Sequence, residues 1–162
     1  MRAFSLVPAS SLAALFVFAT GAATAQTRTS QFAVRANVQK DCQVTTLDLD
    51  FGTYRSDAVS NGQTPLQVRC TPATYASVSL NGGSSGNPQQ RTMLSGTYKL
   101  NYQLYRDAAH QDPINTNGQA FQIPAESNTG QVVTFTIYGQ IPSAQTVAAG
   151  NYVDTIQVTV QF

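Results

Sequence analysis

Apolar and polar residues alternate with a period of two in segment after segment of this chain. Phe32, Val34, Ala36 and Val38 are interleaved with Ala33, Arg35, Asn37 and Gln39; Leu47, Leu49 and Phe51 with Asp48 and Asp50; Leu66, Val68 and Cys70 with Gln67 and Arg69. Ala76, Val78 and Leu80 alternate with serines, Tyr98, Leu100, Tyr102 and Leu104 with Lys99, Asn101 and Gln103, and Val133, Phe135 and Ile137 extend the series. Ile156, Val158, Val160 and Phe162 close it, opposite Gln157, Thr159 and Gln161. Successive side chains of a strand point to opposite faces, so each run predicts a strand with one core-facing row. Helical periodicity is absent after the first 25 residues, and seven or eight short strands are expected.

Turn-forming clusters separate the runs: Ser60-Asn61-Gly62, residues 81–88, 115–118 and 127–130, and Ala149-Gly150-Asn151. Strands at this spacing predict an all-β, two-sheet sandwich, with a closed barrel as the alternative that periodicity does not separate from it. The glycine- and serine-rich stretch 81–86 lacks the Lys-Ser/Thr ending of a phosphate loop and reads as a turn.

The opening of the chain reads differently. Arg2, the apolar run 12–19 and Ala23-Thr24-Ala25 form the charged end, apolar centre and small-residue cleavage site of a secretory signal. The run is too short for a membrane span, which needs about 20 apolar residues. Residues 1–25 are therefore expected to be removed, 26–38 to form an N-terminal segment, and 39–162 one domain. The remaining side chains balance at eight basic and eight acidic, leaving no electrostatic footprint for nucleic acid or anionic lipid. No direct membrane insertion is expected.

Export also decides how the two cysteines are read. In an oxidising compartment an isolated pair, Cys42 and Cys70, is most simply a disulfide. Other chemistry is thin. His110 is the only histidine and has no nucleophile signature around it, so it is expected to be an ordinary solvated loop residue with no metal. Asp48 and Asp50 share one side of a strand but read as its solvated face. Tyr98 and Tyr102 are expected in the core, leaving Tyr105 and Tyr138 as candidate surface aromatics. Neither an enzyme nor a cofactor is expected.

The two ends of the exported chain stand out. The strand of Ile156, Val158, Val160 and Phe162 is expected to have an uncovered edge, with Asp154 the only charge near its inner face; an apolar open edge aggregates unless something pairs with it. Phe32, Val34, Ala36 and Val38, behind a polar lead, could pair with such an edge on another molecule by strand donation, or could simply be this domain's own first strand.

The ordered motifs resemble the spore coat protein U domain family, shared by subunits of archaic, Csu-type chaperone-usher pili. They comprise a short alternating strand before Cys42, Leu49-Asp50-Phe51-Gly52-Thr53-Tyr54, Val68-Arg69-Cys70-Thr71 and Val78-Ser79-Leu80-Asn81-Gly82-Gly83, then Arg91-Thr92-Met93-Leu94. Residues 100–107, Tyr138-Gly139-Gln140-Ile141-Pro142, Gly150-Asn151-Tyr152-Val153-Asp154-Thr155 and the terminal Phe162 complete the match. A Trp-Gly pair common in the family after Tyr-Arg-Asp is absent, Ala108-Ala109 standing there instead.

The resemblance implies an immunoglobulin-like sandwich missing its last strand. A periplasmic chaperone would fill the groove first, and the N-terminal segment of the next identical or related pilus subunit would replace it at the outer-membrane usher. Phe32, Val34, Ala36 and Val38 are then the donor row and Ile156, Val158, Val160 and Phe162 one wall of the acceptor groove. The expected product is a surface pilus, exported through the periplasm, that supports adhesion and biofilm formation. With no room for an added N-terminal binding domain, a shaft or minor subunit is expected rather than a tip adhesin. The alternative is a self-contained secreted coat-matrix or carbohydrate-binding module.

Overall fold

The structure, a computed structural model, describes residues 25–115 and 119–162; the expected secretory signal lies almost wholly outside them. The chain divides into two units, Met1–Ala36 and Asn37–Phe162. Within the first, residues 25–36 form no strand and are exposed.

The second unit is all-β. Its strands are β1 (Cys42–Thr46), β2 (Ser60–Cys70), β3 (Ala76–Leu80), β4 (Arg91–Ser95), β5 (Tyr98–Tyr105), β6 (Gln119–Ile123), β7 (Val133–Ile141) and β8 (Val158–Gln161). Five form one sheet in the order β1-β2-β7-β5-β4 and three form the other in the order β6-β3-β8. Every ladder is antiparallel. The result is a sandwich rather than a closed barrel.

Alternation set the core as expected. Leu66, Val68 and Cys70 of β2, Leu100, Tyr102 and Leu104 of β5, and Ile137 and Ile141 of β7 are buried in one cluster with Ala76, Val78 and Leu80 of β3. Each fully buried aliphatic side chain of this kind contributes roughly 1.5–3 kcal/mol. The Cys42–Cys70 disulfide joins β1 to β2 at a directly paired position.

Four sequence expectations fail locally. The segment before Cys42 is not a strand, and the first ladder begins at Cys42 itself. Residues 47–51 form no strand either, although Leu49 and Phe51 still pack against the core. Ser60-Asn61-Gly62 is no turn but the start of β2, because β7 is long enough to pair Ser60 with Ile141 and Gly62 with Gly139. Tyr98, expected in the core, is exposed at the start of β5.

Three strands were missed outright, the first being β1, which lies between the predicted runs 32–38 and 47–51. β4 breaks the alternation because Arg91, a charged residue, faces inward beside Tyr102. β6 has only Ala120, Phe121 and Ile123 between glutamines, and a register shift between Val78 and Ser79 marks its ladder with β3.

Candidate functional site

The interest of the sandwich lies where its second sheet stops. β8 is bonded to β3 through Leu80–Val158 and Val78–Val160, and among the described residues no strand pairs with its other edge. Tyr152, Asp154, Ile156, Val158 and Val160 form a row of one parity, and all are half-buried. The four apolar members pack against the core, yet none is fully covered. Phe162, also placed in this row by sequence, is exposed. Of the predicted wall residues, Val158 and Val160 therefore lie on the strand, Ile156 on its approach and Phe162 just beyond it.

Across from the core face of the larger sheet, residues 49–51 lie over a glycine pair. Gly62 and Gly139 are cross-strand partners. A Cβ on Gly139 would stand 2.7 Å from Phe51 Cζ, and one on Gly62 would stand 2.8 Å from Leu49 Cδ2. Glycine at both positions opens the seat into which Leu49 and Phe51 settle. The Thr64 hydroxyl holds the start of this segment by donating to the Leu47 carbonyl at 2.8 Å, and Phe51 meets Tyr102 edge to face at 6.0 Å.

A cleft of about 750 Å³ opens beside this segment, lined on its apolar side by Leu49, Phe51, Met93, Val147 and Tyr152. Its far rim, residues 142–152, carries no strand, so side chains fix it. The Gln145 amide pairs with the backbone of Asn101 as a strand would, accepting from the Asn101 N–H at 2.8 Å and donating to the Asn101 carbonyl at 2.9 Å. The Tyr54 hydroxyl donates to the Pro142 carbonyl at 3.1 Å and accepts from the Gln145 N–H at 3.0 Å. Tyr152 donates to the Ala148 carbonyl at 2.7 Å. Sequence reasoning missed this rim: a glutamine in a loop gives no sign that it caps a strand edge.

Sequence also missed the polar heart of the sandwich. Arg91 is fully buried. Its guanidinium donates to the Asn81, Pro88, Ile114 and Leu80 carbonyls and to Gln103 Oε1, at 2.7–3.4 Å. Burial lowers its pKa, opposed by Tyr102 and Asp154 nearby. The same burial raises the Tyr102 phenol, and its hydrogen bond to Asp154 raises it further.

The predicted donor residues are the most exposed large apolar side chains here, with Phe32, Val34 and Val38 exposed at 89, 84 and 81%. Ala36 is exposed as well. His110, expected to be solvated, is instead half-buried, its ring centroid 5.0 Å from that of Tyr105 and 6.3 Å from that of Tyr138. Its backbone lies in the left-handed region at φ 55°, and the Asp107 carboxylate holds the loop by accepting from the Gln111 and Asp112 N–H groups. Asp48 and Asp50 are solvated as expected. Among the described residues no group of acidic, histidine or cysteine side chains is placed to hold a metal, and no helix is long and apolar enough to cross a membrane.

Comparison with known proteins bears on the same chain. The model of the Spore Coat Protein U domain matches residues 28–159. Protein U of Myxococcus xanthus is 29% identical in an alignment of 182 residues that spans the whole of both proteins. Among solved structures, a chain of the CsuC–CsuE chaperone–tip adhesion subunit pre-assembly complex, from archaic chaperone-usher Csu pili of Acinetobacter baumannii, superposes with a TM-score of 0.57 at 25% identity. That match covers 77% of this chain, which spans only 40% of the other.

Proposed function

The chain belongs to the Spore Coat Protein U domain family, and from that premise we propose that it is a structural, non-enzymatic subunit of a chaperone-usher pilus, joined to its neighbours by strand exchange. The observation that carries this reading is the open side of β8, whose inner row is half-buried and whose outer edge has no ladder among the described residues. Such an edge offers a full set of backbone donors and acceptors and aggregates unless it is paired. A partner that adds one strand would satisfy the edge through backbone bonds and the inner row through alternate side chains.

Residues 26–38 supply that strand to another copy or a related subunit, with Phe32, Val34, Ala36 and Val38 as the inserted row. Their extreme exposure supports this: apolar area left in water is area that docking would bury, at about 25 cal/mol per Å². Residues 39–162 form the acceptor. Before assembly a periplasmic chaperone occupies the groove and an outer-membrane usher exchanges it for the next subunit, as the similarity to a chaperone–subunit complex suggests. The fibre reaches the cell surface, where adhesion and biofilm support are its expected roles.

Deleting residues 26–38 tests the assignment. The truncated subunit should still be captured by the chaperone but should not extend a fibre, and normal polymerisation would overturn the donor role. Expression of the exported chain without any chaperone supplies the complementary test. Degradation or aggregation is expected, whereas a protease-resistant monomer would favour a self-contained coat-matrix module.

A further inference from the structure

We infer that Asp154 is a positioning residue, a latch that holds the approach to β8 so that its open edge is presented ready for a donor strand from a second copy; this rests on the acceptor reading above. β8 has only four residues and is bonded on one side. A strand so short and so placed is drawn from the frayed end of a fold's stability range unless its flank is fixed. Residues 154–157 form no strand, yet they are held at three points.

At one end, Val153 and Leu94 exchange backbone hydrogen bonds at 2.9 and 3.0 Å. At the other, Asn81 brackets Gln157: its N–H donates to the Gln157 carbonyl at 3.1 Å and its side-chain oxygen accepts from the Gln157 N–H at 2.9 Å. Asp154 lies between them. Its Oδ1 accepts from the Ser84 N–H and Ser84 hydroxyl, both at 2.7 Å, and from the Thr155 N–H at 2.8 Å. Its Oδ2 accepts from the Tyr102 hydroxyl at 2.6 Å.

These bonds span both sheets. Tyr102 belongs to β5 of the larger sheet, Ser84 to the 3₁₀ turn Gly83–Ser85 that follows β3, and Asp154 to the approach to β8. Gly83 makes room for the carboxylate. It sits at φ +58°, and a Cβ there would lie 2.2 Å from Asp154 Oδ2. The buried Arg91 guanidinium, whose hydrogen bonds go to neutral oxygens, adds an attraction for the same carboxylate. Asp154 occupies the inward parity, where an apolar residue would extend the stripe of Tyr152, Ile156, Val158 and Val160. A carboxylate there is costly unless charge-assisted bonds offset it. What those bonds secure is the position of the strand that follows. An edge fixed in advance loses less freedom when a partner docks.

The test uses the full exported chain, purified in complex with the periplasmic chaperone, and a labelled synthetic peptide of residues 26–38 that displaces the chaperone. Association rate, affinity and amide exchange of residues 158–161 in the peptide-bound subunit are the readouts. Asp154→Ala should slow association and weaken binding by roughly tenfold to a hundredfold, as expected for loss of hydrogen bonds to a charged group, and should speed exchange at 158–161. Tyr102→Phe, which removes one bond, should move the same readouts less and serves if Asp154→Ala does not fold. Val68→Ala, a core truncation outside the latch, should lower the melting temperature without slowing association. If the peptide fails to bind the unaltered chain, the acceptor reading itself falls. If it binds, but Asp154→Ala associates at the original rate or Val68→Ala slows it equally, the latch is refuted.

Discussion

Residues 32–38 and residues 152–160 carry the same kind of pattern, an apolar residue at every second position, and they end in different states. In the first stretch Phe32, Val34 and Val38 are more than 80% exposed and no residue is in a strand. In the second the inner row is half-buried, β8 is bonded to β3, and its approach is fixed by Asp154 and Asn81. Alternation therefore states what a segment can do once a partner is beside it, and not whether that partner lies in the same fold. A strand's backbone groups must be satisfied by a neighbour, and its apolar row needs a second layer to bury against.

The largest effect separating the two stretches is expected at the disulfide that marks where the folded ladder begins. Replacing Cys42 and Cys70 with serine, with a loop of 28 residues between them, should cost about 3.5 kcal/mol on the loop-entropy account. Periplasmic yield and denaturant midpoint measure this. The loss should appear as instability of the subunit and leave the exposed 32–38 row unaltered.

A paired substitution sharpens the contrast itself. Val160→Asp places a charge in a half-buried row packed on the core and should destabilise the subunit by about 2 kcal/mol. Val34→Asp, at an exposed position, should change stability by less than about 0.5 kcal/mol while blocking fibre growth. Denaturant unfolding and a polymerisation assay read the two effects separately. Equal destabilisation by both would erase the distinction drawn between the ends.

The smallest effect concerns acid. Asp107 is held below the ordinary carboxylate range chiefly by the Asp112 N–H, and Asp112 by its bond to Arg106. Depressed carboxylates lend stability above their ordinary pKa of about 3.9, and that stability is lost as pH falls through the lower folded values. Amide exchange at Gln111 and Asp112 should therefore quicken only in that acidic window. Asp112 is exposed and Asp107 only half-buried in a surface loop, so the global midpoint should hardly move.

Much of the fold was legible because most strands bury one face. Ala76, Val78 and Leu80, or Leu66, Val68 and Cys70, announce their inward rows directly. The reading failed where burial and polarity part company. β4 was hidden because its inward Arg91 is satisfied by carbonyl oxygens brought from three places in the chain, Leu80-Asn81, Pro88 and Ile114. Residues 47–51 read as a strand because Leu47, Leu49 and Phe51 alternate with aspartates, but Leu49 and Phe51 are half-buried over the Gly62–Gly139 pair and not within a ladder. The rim built by Gln145 and Tyr54 left no periodic trace at all.

The sequence by itself determined the all-β class, the rows that face inward and the amphipathic character of both ends, since each depends on neighbours one or two residues away, and it determined the cysteine pair because the chain holds two cysteines only. Only the tertiary structure decided which alternating stretches became strands, where β2 begins, and that a carboxylate and a guanidinium belong inside. Those outcomes depend on groups from distant parts of the chain, such as Ser84 and Tyr102 meeting Asp154, that can satisfy a hydrogen bond or cover a side chain only after the sheets have come together.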